Sequence, residues 1–468
     1  MGLIVGALGH LAVVLPLLSL IAAMSGCGSG QNPPPPGVGL GTPIRTAIAI
    51  GPAGSPEPNL TSLIAGPRGL VFGCTEENGW IVILDPITGR SMQWNAGHTS
   101  PTPTSGAYEG DITDLTAWEE SGRIVIIACQ AYPAAIYRYS FLVDASATGS
   151  AALPEPGDIS GECVYENPEW ARIHSVARSA ASGLLLAGSH HGEGAIVASR
   201  DGGFTWEILD YMSTVPGLNV DGLKAVEHSA WSVSGLHWID GTWFACLFNS
   251  FVLEAEIGLS GTQRHYANAV FYSRDEGASW ALSTVTRTSP LPDTVQAAVD
   301  QDRAKGRLPE PFYGLINERM QSLVRGTNGR LYATTTFDYT TDLSGGGRVY
   351  ASADGGTTWT ETARLEGFTD ANIIALPNGL LVAGTMTKLE ELPTSQAAAT
   401  ADLWVSDDNG QSFSHFATVA STTSKSTIHP GFYVIGVASM AYASGHLVVG
   451  TVNESAGGSA EILLVPVT

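Results

Sequence analysis

Arg264, His265 and Tyr266 lie side by side in one polar segment, Glu318 and Arg319 are adjacent in another, and His174 and Tyr433 stand at the edges of apolar runs. A guanidinium, imidazoles, a carboxylate and phenols can hydrogen-bond to a sugar and stack on its apolar face. Glu318, Tyr433 and His265 are the candidates for proton transfer or nucleophilic attack, and Arg264, Tyr266, His174 and Arg319 the candidates for holding a ligand. Two converging carboxylates drawn from Glu162, Glu166, Glu310 and Glu318 would suit glycoside hydrolysis, whereas a His/Tyr pair would suit acid–base chemistry. His190, His191 and Glu193 form a further cluster, but adjacent histidines point to opposite faces of a strand and chelate poorly. The chain has no HExxH, no CxxC pair, no glycine-rich phosphate loop and no GxSxG, so no metal or cofactor is expected. Calcium on a carboxylate-rich loop stays open, with no EF-hand pattern behind it.

These residues can converge only if short elements bring them together. A turn glycine, three or four apolar residues and a small pair recur seven times, ending at Cys74, Cys129, Ser189, Cys246, Thr335, Thr385 and Thr451. The 55 glycines and 26 prolines interrupt the chain too often for long helices. Copies about 50 to 66 residues apart, with one interval near 90, suit four-stranded sheets with loops of varying length. The expectation is an all-β fold, a seven-bladed β-propeller of four-stranded antiparallel blades. The last blade has only three strands before the chain stops, so the alternating segment 43–50 is expected to close it from the N-terminus. The segment from Asp293 to Gly306 reads as a lone helix, through a capping box at Asp293 and Gln296 and an apolar stripe of Val295, Ala298 and Val299. Lid and rim packing are both open for it.

A second repeat runs out of phase with the first. Ser199 to Trp206, Ser273 to Trp280, Ser352 to Trp359 and Ser406 to Phe413 follow S-x-D-x-G-x-[ST]-[WF]. These segments resemble the Asp-box, or BNR, repeats of the sialidase superfamily. In such a hairpin the carboxylates of Asp201, Asp275, Asp354 and Asp408 would accept backbone N–H bonds, glycine would supply a positive φ, and the aromatic ring would pack between sheets. The resemblance therefore implies a structural role for the four aspartates. It also implies where a catalytic tyrosine and glutamate would stand. Asn317 to Val324 followed by Gly329 to Tyr332 is similar to the segment bearing the family's Glu, and Gly431-Phe432-Tyr433 to the one bearing its Tyr. The pattern departs from the family elsewhere: Thr334 or Thr335 stands where an arginine is expected, no arginine follows Arg364, and the F-R-I-P motif is absent. The resemblance spans about residues 43–468 as fold and does not extend to the arginine triad that holds a carboxylated sugar.

The charge balance sets the class of partner. With 22 Lys+Arg against 44 Asp+Glu, the formal net charge of -22 repels phosphate backbones, and nucleic acid is not expected as a partner. Gly2 to Met24 contains no charged side chain, and Leu11 to Ala23 reads as the apolar core of an export signal. Met24-Ser25-Gly26-Cys27 resembles the bacterial lipobox, which implies lipidation of Cys27 and attachment to the membrane. The expected organisation is a signal peptide over 1–26, a Pro/Gly-rich tether over 27–42 and a propeller over 43–468, displayed outside the cytoplasm as a monomer. Cys74, Cys129 and Cys246 occupy one repeat slot and are expected as buried free thiols, with Cys163 the residue free to reach a partner, Cys129 among them. Two functions remain open: a propeller that binds a glycan or an envelope protein through its loop-rich face, or a carbohydrate-active enzyme (glycoside hydrolase, sialidase-like, or polysaccharide lyase) using the central funnel.

Overall fold

The computed structural model describes residues 39–46, 48, 50, 59–76, 78–96, 110–190, 194–212, 232–248, 251–252, 266–291, 293–306, 315–337, 347–365, 370–392 and 396–468. All lie in the unit Pro33–Thr468. The signal segment, Cys27, most of the tether, His191, Glu193, Arg264, His265 and Glu310 fall outside these residues.

The chain is almost entirely strand, arranged as antiparallel meanders in which each strand pairs with the next. The first comprises Leu60–Ala65, Val71–Thr75, Trp80–Leu84 and Ser91–Asn95. The second comprises Ile112–Glu120, Arg123–Gln130, Ala134–Leu142 and Ser160–Asn167. The third follows as Arg172–Arg178, Leu185–His190, Ala195–Ser199 and Glu207–Tyr211. The fourth is Ser232–Ile239, Thr242–Phe248, Val270–Ser273 and the two-residue Ala281–Leu282. Glu318–Arg325, Leu331–Phe337, Arg348–Ser352 and Thr358–Arg364 form the fifth, whose outer edge also pairs in parallel with Thr284–Thr286. The sixth is Asp370–Ala375, Leu381–Leu389, Ala399–Ser406 and Ser414–Thr422. In the seventh, Tyr433–Ala443, His446–Asn453 and Ile462–Pro466 are joined by the N-terminal strand Ile44–Thr46, with Ile44 opposite Leu464 and Thr46 opposite Ile462. The closing pairing expected from segment 43–50 is present over these three residues. We denote the strands of each meander A to D in chain order, with Ile44–Thr46 as strand D of the seventh.

The apolar repeat is strand B. Its side chains are buried on both faces, so it reads as a continuous apolar run rather than an alternating one. The cores lie between meanders: one joins Phe72 and Ile83 to Ile126 and Phe141, and another joins Val382 and Leu403 to Ile435 and Val449. The series returns to its start, because Leu60, Leu63 and Val82 of the first meander share a core with Ala441, Val448 and Ile462 of the seventh. The small residue of the repeat follows from this contact. A Cβ on Gly188 would come within 2.6 Å of Val233, one on Gly384 within 2.4 Å of Val437, and one on Gly450 within 2.6 Å of Leu60, each a side chain of the next meander.

Strand A carries one extra residue in six of the seven described meanders, at Thr61, Thr113, His174, Ser234, Gln321 and Ala438. The bulge frees backbone carbonyls, and side-chain hydroxyls take them up. Thr61 Oγ1 donates to Cys74 O at 3.1 Å and to Ile112 O at 2.9 Å, and Ser234 Oγ to Cys246 O at 3.2 Å. Thr113 Oγ1 bonds Cys129 O and Ile173 O in the same way. In the third meander that slot holds His174.

The four S-x-D-x-G-x-[ST]-[WF] segments form the hairpins between strands C and D. In each, the first Ser donates to the Asp and accepts from the Gly N–H: Ser199 Oγ to Asp201 Oδ1 at 2.8 Å and Gly203 N to Ser199 Oγ at 2.9 Å, repeated at Ser273, Ser352 and Ser406. The same carboxylate oxygen accepts the backbone N–H four residues on, as Thr205 N to Asp201 Oδ1 at 3.0 Å. These bonds, the Thr205 hydroxyl foremost, hold Asp201 down at about 2. Gly356 has φ +87 and no room for a Cβ, which would lie 2.1 Å from the Phe244 ring. The first meander keeps a shorter version, with Ile87 N and the Thr88 hydroxyl bonded to Asp85.

The helix Asp293–Ala304 forms as expected, with Gly306 at φ +68 just beyond it. Its Val295, Ala298 and Val299 are buried with Leu236, Phe271, Trp280 and Ile316, so its apolar stripe serves the core beside the fourth meander. No helix among the described residues is long and apolar enough to cross a membrane.

Candidate functional site

Strand A of the third meander begins with Arg172 and reaches its bulge at His174. The bulge turns an imidazole to where neighbouring meanders place hydroxyls. His174 Nε2 lies 3.2 Å from Nδ1 of His190, at the end of the adjoining strand B, and the rings meet edge to face at 5.3 Å between centroids and 71°. Burial holds the His174 imidazole well below its ordinary value, and Arg172, His190 and Arg319 push it further down. His174 is therefore uncharged at pH 7.

Two guanidiniums flank it. Arg172 Nη2 reaches the Tyr132 hydroxyl at 3.4 Å, with its Cζ 5.2 Å from that ring's centroid. Tyr132 holds a left-handed backbone at φ +46 and is pinned by its N–H to Ala171 O at 3.0 Å. A bulky aromatic in that conformation is uncommon and places its ring over the start of the third meander. Arg319 enters from the fifth meander and lies over the Phe248 ring, its Cζ 4.4 Å from the centroid. The Nε of Arg172 and the Nε of Arg319 are both buried without a hydrogen-bond partner among the described residues. Glu76 and Asp111 contribute negative charge near Arg172.

Glu318 precedes Arg319, and successive strand residues face opposite ways. Its carboxylate is fully buried and saturated: Oε1 accepts from Arg287 Nη1 at 2.9 Å and Arg348 Nη1 at 2.6 Å, and Oε2 from the Thr335 hydroxyl at 3.0 Å. Arg348 continues to Glu361, Nε to Oε1 at 3.4 Å, and Glu361 Oε2 accepts the backbone N–H groups of Thr288 and Ser289 at 2.9 and 3.1 Å. This network ties the segment before the helix to the fifth meander. It holds Glu318 in the interior, whereas the Arg319 side chain is partly exposed.

The remaining candidates are dispersed. Tyr433 is half-buried at the start of strand A in the seventh meander, with Lys425 Nζ 5.5 Å from its ring centroid. The loop before it is fixed by Glu454, which accepts from His429 Nδ1 at 2.7 Å, the Ser426 hydroxyl at 2.6 Å and Asn59 Nδ2 at 3.1 Å. The backbone of Tyr266 belongs to the short strand Tyr266–Asn268, which pairs with Phe251–Val252 and Leu315–Ile316. Glu162 and Glu166 lie on Ser160–Asn167, the outer strand of the second meander. Among the described residues no group of three or more His, Cys, Asp or Glu is placed to hold a metal ion. Cys74, Cys129 and Cys246 are buried free thiols, with burial pushing Cys246 up to about 12. Cys163 is exposed and free, its Sγ directed to Tyr165 O at 3.4 Å, so the bridge to Cys129 considered from the sequence does not form.

Tyr132 and Phe248 were not singled out by sequence. The available signal was positional: Gln130, His190 and Phe248 end successive B strands, and Arg172 and Glu318 open A strands, so their neighbours meet on one face.

Neither a protein-family model nor a curated protein matches the sequence. Among solved structures, the chain is similar to a polysaccharide lyase of family PL25, an ulvan lyase bound to -[GlcA(1-4)Rha3S]-, at TM-score 0.51 and 11% identity, over 91% of this chain and 96% of that one. It also aligns with YCF48 bound to D1 peptide, at TM-score 0.43 and 11% identity over 91% and 96% of the two chains. An alignment with a sialidase of Trypanosoma rangeli has TM-score 0.38 and 10% identity, over 92% and 59%. The likeness to the ulvan lyase is one of fold and makes this chain a β-propeller.

Proposed function

We propose that this chain is an exported, seven-bladed propeller of the Asp-box type whose central funnel binds an acidic glycan. The seven meanders are read as blades, and the four Ser–Asp–Gly hairpins as Asp boxes that brace their outer edges. The observation that carries the reading is the pair of guanidiniums, Arg172 and Arg319, each with a buried Nε that has no partner among the described residues, and both acting on the His174 imidazole that meets His190 at 3.2 Å. A buried donor without a partner is costly to leave unmade, and an anionic group seated between the two arginines would satisfy both. Tyr132 and Phe248 supply flat faces on which a sugar ring can stack. On the sequence signals, the propeller is held at the envelope by a lipid on Cys27, behind the Pro/Gly-rich tether.

The uncharged His174, in contact with His190, favours a second reading of the same site, the elimination of a uronate-containing polysaccharide. There an arginine would neutralise the sugar carboxylate and so acidify the C5–H, the uncharged His174 imidazole would take that proton, and the electron pair would form the C4=C5 double bond as the C4–O bond breaks, the leaving oxygen being protonated from solvent. The lyase-like fold is compatible with this chemistry but is not an argument for it. Glu318, locked between Arg287 and Arg348, would serve in neither reading as an acid or base.

A panel of acidic and neutral polysaccharides separates the readings. Retention of uronate- or sulfate-bearing chains, with neutral glycans ignored, is the expected result. Appearance of the ultraviolet absorbance of an unsaturated uronate, lost in His174→Gln, would move the site from binding to elimination. Indifference to the whole acidic panel would sink the glycan reading in favour of an envelope protein as partner.

A further inference from the structure

The strand pairings set charged and aromatic side chains of separate meanders in one row. Arg172 is the direct partner of His190 across strands A and B of the third meander, and His190 of Ser232 across the boundary to the fourth. Ser232 in turn is the partner of Phe248 across strands A and B of the fourth. Directly opposed residues of antiparallel strands carry their side chains on the same face, with Cβ atoms about 5 Å apart. Arg172, His190, Ser232 and Phe248 therefore stand on one face in that order. Each end of the row is a ring paired with a guanidinium. Ala131 is the partner of Arg172 on the side of the second meander, and the Tyr132 ring next to it has its centroid 5.2 Å from the Arg172 Cζ. At the other end the Arg319 Cζ lies 4.4 Å from the centroid of the Phe248 ring. His174, the bulged residue of strand A, meets His190 between them. Ser232 is buried, whereas Tyr132, Arg172, His190, Phe248 and Arg319 are partly exposed.

We propose that the funnel takes a segment of about three sugars of an acidic glycan, laid along this row from Tyr132 to Arg319. This rests on the reading of the funnel as an acidic-glycan site and adds the length and lie of the ligand. Three steps of about 5 Å set Arg172 and Phe248 as much as about 15 Å apart along the sheet, more than one pyranose ring covers. A single acidic sugar placed between the guanidiniums leaves the rings at the two ends unused. A longer segment puts its acidic group at the middle and its flanking sugars at Tyr132 and Phe248. The arginine that meets the acid also braces the ring on which the next sugar lies, since each guanidinium is half of a cation–aromatic pair. A site so formed selects for chain length as well as for charge.

Titration of the native protein with glucuronate and its oligomers, from monomer to hexamer, tests the row. Affinity is expected to climb about three- to tenfold with each added sugar up to about the trimer and then to level off. A site that grips one sugar gains only in proportion to the number of equivalent sugars a chain offers, with no plateau. Tyr132→Asn removes one ring and keeps a residue that tolerates a left-handed backbone; Phe248→Leu removes the other ring and keeps apolar bulk. Each is expected to erase one step of the series, and the two together both steps. Where a variant does not fold, the native series decides alone.

A series that follows the number of sugars alone, or steps that survive in folded Tyr132→Asn and Phe248→Leu, would overturn the placement along the row. If binding still depends on Arg172 and Arg319, the site reading stands. Binding unaffected by Arg172→Gln and Arg319→Gln, or no binding of any member of the series by the native protein, would overturn the site reading and the placement with it.

Discussion

Glu318 and Arg319 are consecutive, yet they belong to two charged clusters of opposite character. Around Glu318, two carboxylates and two guanidiniums neutralise one another inside the fifth meander, and both oxygens of Glu318 and of Glu361 are bonded. Arg348 also has one buried Nη2 without a partner among the described residues, but on a side chain with no exposure, whereas the Arg172 and Arg319 side chains are partly exposed. Around Arg319 the side chains are partly exposed, and the Nε atoms of Arg172 and Arg319, on separate meanders, have no partner among the described residues. A saturated cluster holds a fold together. An unsaturated one at a mouth is built for something that arrives later.

The largest effect should come from breaking the saturated cluster. Glu318→Ala leaves Arg287 and Arg348 facing each other without a carboxylate, and a loss of about 3–5 kcal/mol in denaturant-induced unfolding is expected. A loss below about 1 kcal/mol would show that the network is not what ties the helix segment to the fifth meander. In the open cluster the balance is reversed. Arg319→Gln should weaken acidic-glycan binding by at least about tenfold while shifting the unfolding free energy by less than about 1 kcal/mol, because its guanidinium has few bonds to lose. Destabilisation as severe as that of Glu318→Ala would erase the distinction between the two regions.

The sequence carried the fold further than the site. The apolar repeat marked every strand B, the S-x-D-x-G segments marked four C–D hairpins, and the segment before Leu60 marked the closing strand, since each depends on contacts within one meander or on its neighbour. His174 and Arg319 were legible as strand-A residues near an axis. Tyr132 and Phe248 were not, because what gathers them with Arg172 is the juxtaposition of three meanders, and Tyr132 gives no local sign of its left-handed backbone. Glu318 looked free because neither Arg287, 31 residues before it, nor Arg348, 30 after it, is near it in the chain.

A smaller effect sharpens the comparison below the mouth. Asp114 accepts the Val176 N–H at 2.9 Å across the boundary between the second and third meanders, and burial pushes its carboxyl up to about 6. A carboxyl whose folded pKa exceeds its unfolded value destabilises the fold as pH rises from about 4 toward 6, because the folded state must give up a proton it holds more tightly. Asp114→Asn removes the charge and keeps one of the two oxygens that accept the Leu115 and Val176 N–H groups. It should raise stability at pH 7 by about 1–2 kcal/mol and have little effect at pH 4. Equal effects at both pH values would mean that the carboxyl ionises freely in the folded protein.

The central claim is that Arg172 and Arg319 form one anion site. It is tested most directly by comparing the affinity of the native protein and of the Arg172→Gln/Arg319→Gln double variant for an oligoglucuronate and for its uncharged, carboxyl-reduced counterpart. The account predicts that the native protein prefers the acidic chain by at least about tenfold and that the preference disappears in the double variant with the fold intact. Equal affinity for both chains in the native protein, or a preference that survives loss of both arginines, would contradict it.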